Sequence, residues 1–184
     1  GQNGIGDGRS AASFNGTSSL CNWHSAALAA AFNGAEGTLM AWAKVSSAGV
    51  WTDNAHRTIA RVAVDTSNYI QLYKYTNNAF LFDYFAGGVA EQISLSTTTL
   101  SWMFSAITWS ISNNQVKAYF NGLQTGATAT TLGTWTGSLA SNGVLIGAFN
   151  ATPIRVWSDL IAHAILCNVA HPAAMIAEAY RMAF

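Results

Sequence analysis

The segment "QVKAYFNGLQTG", residues 115–126, constrains the fold most. Val116, Ala118 and Phe120 alternate with Gln115, Lys117 and Tyr119, the two-residue period of a half-buried strand. Asn121-Gly122 follows at once, and both residues tolerate the positive φ that a type I′ hairpin turn demands. The same grammar recurs along the chain. "AASFNG", "SSLCNW", "GTLMAWAKVSS", "RTIARVAVD", "NYIQLYKY", "NAFLFDYF", "VAEQISL", "WMFSAITWSI", "GVLIGAF" and "DLIAHAILCN" all read as strands. Short turns such as "TSN", "TNN" and "AGG" separate several of them. In "NYIQLYKY", Tyr69, Gln71, Tyr73 and Tyr75 oppose Ile70, Leu72 and Lys74. About a dozen strands on short turns predict an antiparallel sandwich or barrel.

One helix is predicted at the end, in "HPAAMIAEAYRMAF", where Pro172 suits the first turn and Met175, Ile176 and Ala179 share a face. "SAALAAAF" reads as a helical turn or a loop. The 184 residues suit one domain, and no internal repeat divides them. Residues 1–9, within "GQNGIGDGRS", read as a Gly-rich arm or linker, with the domain over 10–184. That opening has neither the basic nor the apolar region of a signal peptide.

Eight basic and eight acidic side chains balance to zero, which argues against nucleic acid and against a polybasic membrane contact. Charged residues make up only 9% of the chain, against roughly 25% in an average domain. No apolar run is long enough to span a bilayer; "LIAHAILCNVA" is short and carries His163 and Asn168. So few charges at zero net charge predict either a surface covered by neighbours in an assembly or one kept soluble by Gly, Ala, Ser and Thr.

Taken in order, the segments resemble the laminin-G-like, concanavalin A-like family. "SFNGTSSL" is similar to its opening F-D-G turn, and "GTLMAWAKV" to its F-T-I-S-A-W-V-K strand with Trp42 as a core residue. "SWMFSAITWS" with "QVKAYFNGLQTG" resembles W-H-H-V-A-V-T-W followed by Y-V-N-G-K. "GVLIGAF" is similar to L-Y-I-G, and the C-terminal segment to the closing strand and helix. The resemblance implies an all-β antiparallel jelly-roll β-sandwich with one C-terminal α-helix. It places Cys21 and Cys167 on neighbouring first and last strands, implying either a disulfide between them or two reduced thiols. Acidic positions depart from the family: Asn15 stands in F-D-G, and Ala162-His163 replace an Asp-Glu pair.

Catalytic signatures are absent from the sequence. Glu36, Glu91 and Glu178 are isolated, so no strand carries the alternating carboxylates of glycosidases with this fold. His24, His56, His163 and His171 are scattered. In "WTDNAHR", Asp53 and Asn54, joined by Asp65 or Asp83, form the candidate calcium loop; a solvated turn is the plainer reading. Of the seven Trp residues, Trp42, Trp102 and Trp109 fall at family core positions, while Trp51 and Trp135, in loop-like polar sequence, are candidate ligand or partner contacts, with Asp53 and Asn54 beside Trp51. Asn15 and Asn150 begin Asn-x-Thr sequons, although both lie in turn-like sequence.

Two functions follow, neither enzymatic. The first is a structural or interaction module of a multi-subunit assembly, such as a virion decoration, fibre or tail protein, acting through protein contacts. The second is a lectin-like module binding glycans, with or without calcium. Both place the chain outside the cell, on a cell surface or on a virion.

Overall fold

The computed structural model describes residues 2–182. Gly1 of the expected arm, and Ala183 and Phe184 of the expected helix, lie outside the described residues. In chain order come β1 (Gln2–Asn3), β2 (Ser10–Asn15), β3 (Cys21–Asn22), α1 (Ala26–Ala31) and β4 (Glu36–Lys44). After a 3₁₀ turn at Ala48–Trp51 follow β5 (Arg57–Ala63), β6 (Tyr69–Lys74), β7 (Phe80–Ala86) and β8 (Val89–Leu95). Then come β9 (Met103–Ser110), β10 (Gln115–Phe120), β11 (Leu123–Ala129), β12 (Val144–Ile146), β13 (Ser158–Cys167) and α2 (Ala173–Arg181). They form a seven-stranded sheet, β1-β2-β13-β4-β9-β10-β11, and a six-stranded sheet, β3-β12-β5-β6-β7-β8. Every strand-to-strand ladder is antiparallel.

The hairpin read from the sequence is present. Asn121 and Gly122 take φ of 48° and 81°, and Phe120 pairs with Leu123 across the turn. Asn121 also ties the turn to β9, since its Oδ1 accepts the Phe104 amide at 2.9 Å.

Alternation sends one face of each sheet into a shared core. Leu39, Ala41 and Ala43 of β4, and Ile107 and Trp109 of β9, meet Ile70 and Leu72 of β6 and Phe80, Phe82 and Tyr84 of β7. Trp109 is anchored by its indole N–H donating to the Gly34 carbonyl at 3.1 Å.

The two outer faces differ. The seven-stranded sheet carries a second apolar cluster outside, in which Met40, Trp42, Phe104, Ala106 and Tyr119 pack under Ile176 of α2 and Ile5. Trp42 therefore lies in this outer cluster, stacked on Tyr180 with ring centroids 5.4 Å apart. On α2, Ile176 is fully buried while Met175 is exposed, so the face predicted from the sequence is narrower in the structure. Within the segment 1–9 read as an arm or linker, β1 pairs with β2, and Asp7 pairs with His163 at 2.7 Å. The outer face of the six-stranded sheet carries no helix, and the candidate site lies there.

Gly37 leaves room for Trp109, because a Cβ there would sit 2.3 Å from the indole and 2.7 Å from the Cys167 carbonyl. Gly37→Ala is expected to lower stability by ~1–3 kcal/mol by forcing β4, β9 and β13 apart. Denaturant unfolding checks this; unchanged stability would mean that the indole relocates freely.

Candidate functional site

On the outer face of the six-stranded sheet, strand register aligns four polar side chains in one transverse row. Arg61 of β5 pairs with Gln71 of β6, Gln71 with Asp83 of β7, and Asp83 with Gln92 of β8. The row exists because β6 alternates: Ile70 and Leu72 turn to the core, while Tyr69, Gln71, Tyr73 and Tyr75 line a cleft of about 460 Å³ on the opposite side. The loop between β12 and β13 supplies Phe149 and Arg155 as a wall.

The floor is held by hydrogen bonds. Arg61 Nη1 donates to Gln71 Oε1 at 3.0 Å, and Gln71 Nε2 donates to Thr58 Oγ1 at 2.9 Å and lies 3.2 Å from His56 Nε2. Tyr73 Oη donates to Asp83 Oδ2 at 2.8 Å. Gln92 Nε2 donates to Asp83 Oδ1 at 2.9 Å and to Tyr73 Oη at 3.0 Å. Above this floor are rings. His56 stacks on Tyr73 at 4.6 Å and meets Tyr75 edge-on at 5.6 Å. The Arg61 guanidinium lies 4.5 Å from the Tyr69 ring and 4.2 Å from Phe149, and Arg155 lies 4.3 Å from Phe149.

Electrostatics follow from burial and from two guanidiniums. Burial, then the positive charges of Arg155, Arg61 and Lys74, hold His56 down at about 3, so its imidazole is neutral at physiological pH. Burial lowers Arg61 to about 10 and raises Asp83. Burial, then the neighbouring Asp83 carboxylate, raises the Tyr73 phenol, which stays protonated and donating. A neutral imidazole, aromatic rings and pre-arranged donors can hold a polar molecule with apolar faces.

The residues singled out from the sequence stand elsewhere. Trp51 is 3% exposed, with its N–H donating to the Thr99 carbonyl at 2.9 Å, and belongs to the core. Trp135 is 7% exposed and packs edge-on against Phe32 at 5.2 Å. Polar neighbours in sequence do not decide where a ring points, and both indoles turn inward. Asp53 is enclosed by cations: its Oδ2 accepts from Arg57 Nε and Nη2 at 2.9 and 2.7 Å, and its Oδ1 from buried Lys74. Asn54 bonds Asn78 reciprocally. Asp65 caps its own turn, accepting from the Ser67 amide at 2.7 Å and from Asn68. Asp53 and Asp65 thus serve turns, and no group of three or more His, Cys, Asp or Glu that could hold a metal occurs among the described residues. Cys21 and Cys167 are free thiols: β3 lies in the six-stranded sheet, whereas Cys167 ends β13 in the other. The strands that neighbour β13 are β2, one element before Cys21, and β4.

No family model and no curated protein matches the chain. Solved structures do. The CBM40 of the Ruminococcus gnavus IT-sialidase aligns with a TM-score of 0.66 at 12% identity, over 92% of this chain and 95% of that one. The binding domain of botulinum neurotoxin serotype D aligns with a TM-score of 0.65 at 16% identity, over 90% of this chain and 42% of that one. This chain therefore spans about two fifths of that binding domain's length. Domain 4 of AbnA, a GH43 extracellular arabinanase from Geobacillus stearothermophilus in complex with arabinotriose, aligns with a TM-score of 0.58 at 16% identity, over 82% and 67%. These likenesses establish the jelly-roll sandwich.

Two outcomes are expected. His56 has its folded value below the unfolded value near 6.5, so the unfolded chain takes up the proton first as pH falls. The stability His56 confers is complete above about pH 6.5 and is lost progressively towards about pH 3. Imidazole resonances followed by NMR should show His56 unprotonated at about pH 5, and His56→Gln should flatten the fall in melting temperature between neutral pH and that point. Secondly, unreduced protein should show two titratable thiols, Cys21 reacting first and Cys167, raised by burial, more slowly. A melting temperature lowered by reductant would contradict the free thiols.

Proposed function

We propose that this chain is a glycan-binding module whose sugar lies in the cleft over β5–β8. The observation that carries the reading is the cleft itself: aromatic rings stand over a floor of amide, phenol and carboxylate groups bonded to one another, with Arg61, which makes one side-chain hydrogen bond, to Gln71, beside them. A pyranose presents hydroxyl edges and C–H faces, the two surfaces such a cleft complements. Structural neighbours that are carbohydrate-binding domains, one of them in complex with arabinotriose, support the same reading. So do the laminin-G-like segments of the sequence, which point to a recognition scaffold. The module binds without turnover: Asp83 is the one carboxylate among the residues lining the cleft, whereas acid–base glycoside hydrolysis uses two. It acts outside the cell, where glycans are displayed, and needs no calcium at Asp53 or Asp65.

A role in a larger assembly is the second reading. Exposed apolar side chains favour it: Met175 of α2, Met182 just beyond it, and Leu123 of β11. Structural neighbours lend it less support than they lend the glycan reading.

A glycan array followed by calorimetry tests the proposal. Tyr75 is 42% exposed, so Tyr75→Ala should weaken the bound glycan on the order of tenfold, ~1.4 kcal/mol, without lowering the melting temperature. Trp51→Ala and Trp135→Ala should instead destabilise the fold, as buried rings do. No glycan bound anywhere on the array, together with a stable oligomer in light scattering, would replace this reading by the second.

A further inference from the structure

Cations elsewhere on the six-stranded sheet have a partner. Arg57 and Lys74 share Asp53. Arg61 and Arg155 have none: among the described residues, neither lies within ion-pair distance of a carboxylate. Arg61 is 6% exposed, and its one hydrogen bond to a described residue runs from Nη1 to Gln71. Its guanidinium lines the cleft, sharing the Phe149 ring with Arg155. The nearest carboxylate in register is Asp83, two strands away with Gln71 between, and its oxygens accept from Tyr73 and Gln92.

A buried guanidinium with no carboxylate in contact is costly to desolvate, and Asp83 offers it only a longer-range charge; a planar fork facing an open cleft matches the two oxygens of an oxyanion. We infer that the sugar held here is acidic, and that Arg61 and Arg155 select it by gripping its oxyanion across the Phe149 wall. This rests on the glycan reading above and narrows it. Burial is the main cause of the depressed His56 value, and the charges of Arg155 and Arg61 add to it. A neutral imidazole also adds no charge of its own.

Calorimetry on the full chain decides the matter with matched sugars: glucuronic acid and N-acetylneuraminic acid for a carboxylate, galactose 6-sulfate for a sulfate, glucose and galactose as neutral counterparts, and inorganic sulfate alone. One acidic class should bind at least ~10-fold tighter than its neutral counterpart, the worth of a charged hydrogen bond, and added salt should narrow that gap. Whether the carboxylates or the sulfate show the gap identifies the oxyanion. Arg155→Gln, at an exposed position, should bring the acidic-to-neutral ratio towards one, as should Arg61→Lys, which keeps the charge but loses the fork. Equal affinity for acidic and neutral sugars, still lost in Tyr75→Ala, would overturn the anion inference and leave the glycan reading standing. Inorganic sulfate binding as tightly as any sugar would overturn it too, revealing a bare anion site. No sugar bound at all would end both.

Discussion

Side chains of a strand must alternate, and in this protein that constraint divides core from cleft. β6 shows it best: Ile70 and Leu72 are fully buried between the sheets, while Tyr69, Gln71 and Tyr73 turn outward. A register slip of one residue would put the phenols and the amide into the core and empty the cleft at the same time. Core and site therefore hold one another in register, through Phe82 and Tyr84 on one side of β7 and Asp83 on the other. Lys74 ends the inward series, fully buried yet charged, and the chain meets it with Asp53 and the Ala55 carbonyl.

The two outer faces differ in what covers them and in the chemistry they present. α2 and Ile5 cover part of the apolar face of the seven-stranded sheet, where Trp42 and Phe104 still border a cleft of about 430 Å³. The six-stranded sheet bears polar residues outside, and such a face needs no helix to cover it. Function is accordingly expected where packing leaves a sheet uncovered and the uncovered residues are bonded to one another.

Much of the fold was legible in the sequence because strand, turn and helix signals are local: the 115–126 hairpin, the run from β4 to β11 and the last helix all follow from neighbours in the chain. The site was less legible because it is built by register. Arg61, Gln71, Asp83 and Gln92 stand on four successive strands and become a row only when those strands pair. A signal was nonetheless present, since the aromatic and amide face of "NYIQLYKY" needs a reason to be outward. The Trp residues misled for the complementary reason. Trp51 ends a 3₁₀ turn and Trp135 sits in irregular backbone, so no period indicates their inward direction. A disulfide between Cys21 and Cys167, one of the two alternatives that the resemblance implies, needs the first strands to share a sheet, whereas the chain crosses to the other sheet between Asn15 and Cys21.

The Phe149 wall carries a consequence for the tempo of recognition. Its loop is pinned where it leaves and re-enters the sheets: the Gly147 amide donates to the Ile59 carbonyl, Trp157 to Gly147 and Thr58 to Arg155, each at 2.8 Å. The ring at its tip is flanked by two guanidiniums. The loop that bears Phe149 is thus tied at both ends before any molecule enters the cleft. Little chain entropy is lost on capture, and the encounter rate is set by diffusion and by the shedding of water from the rings, without a closing motion to wait for. By lowering the ordering cost, the same pinning would favour a tighter and longer-lived complex from a given set of contacts.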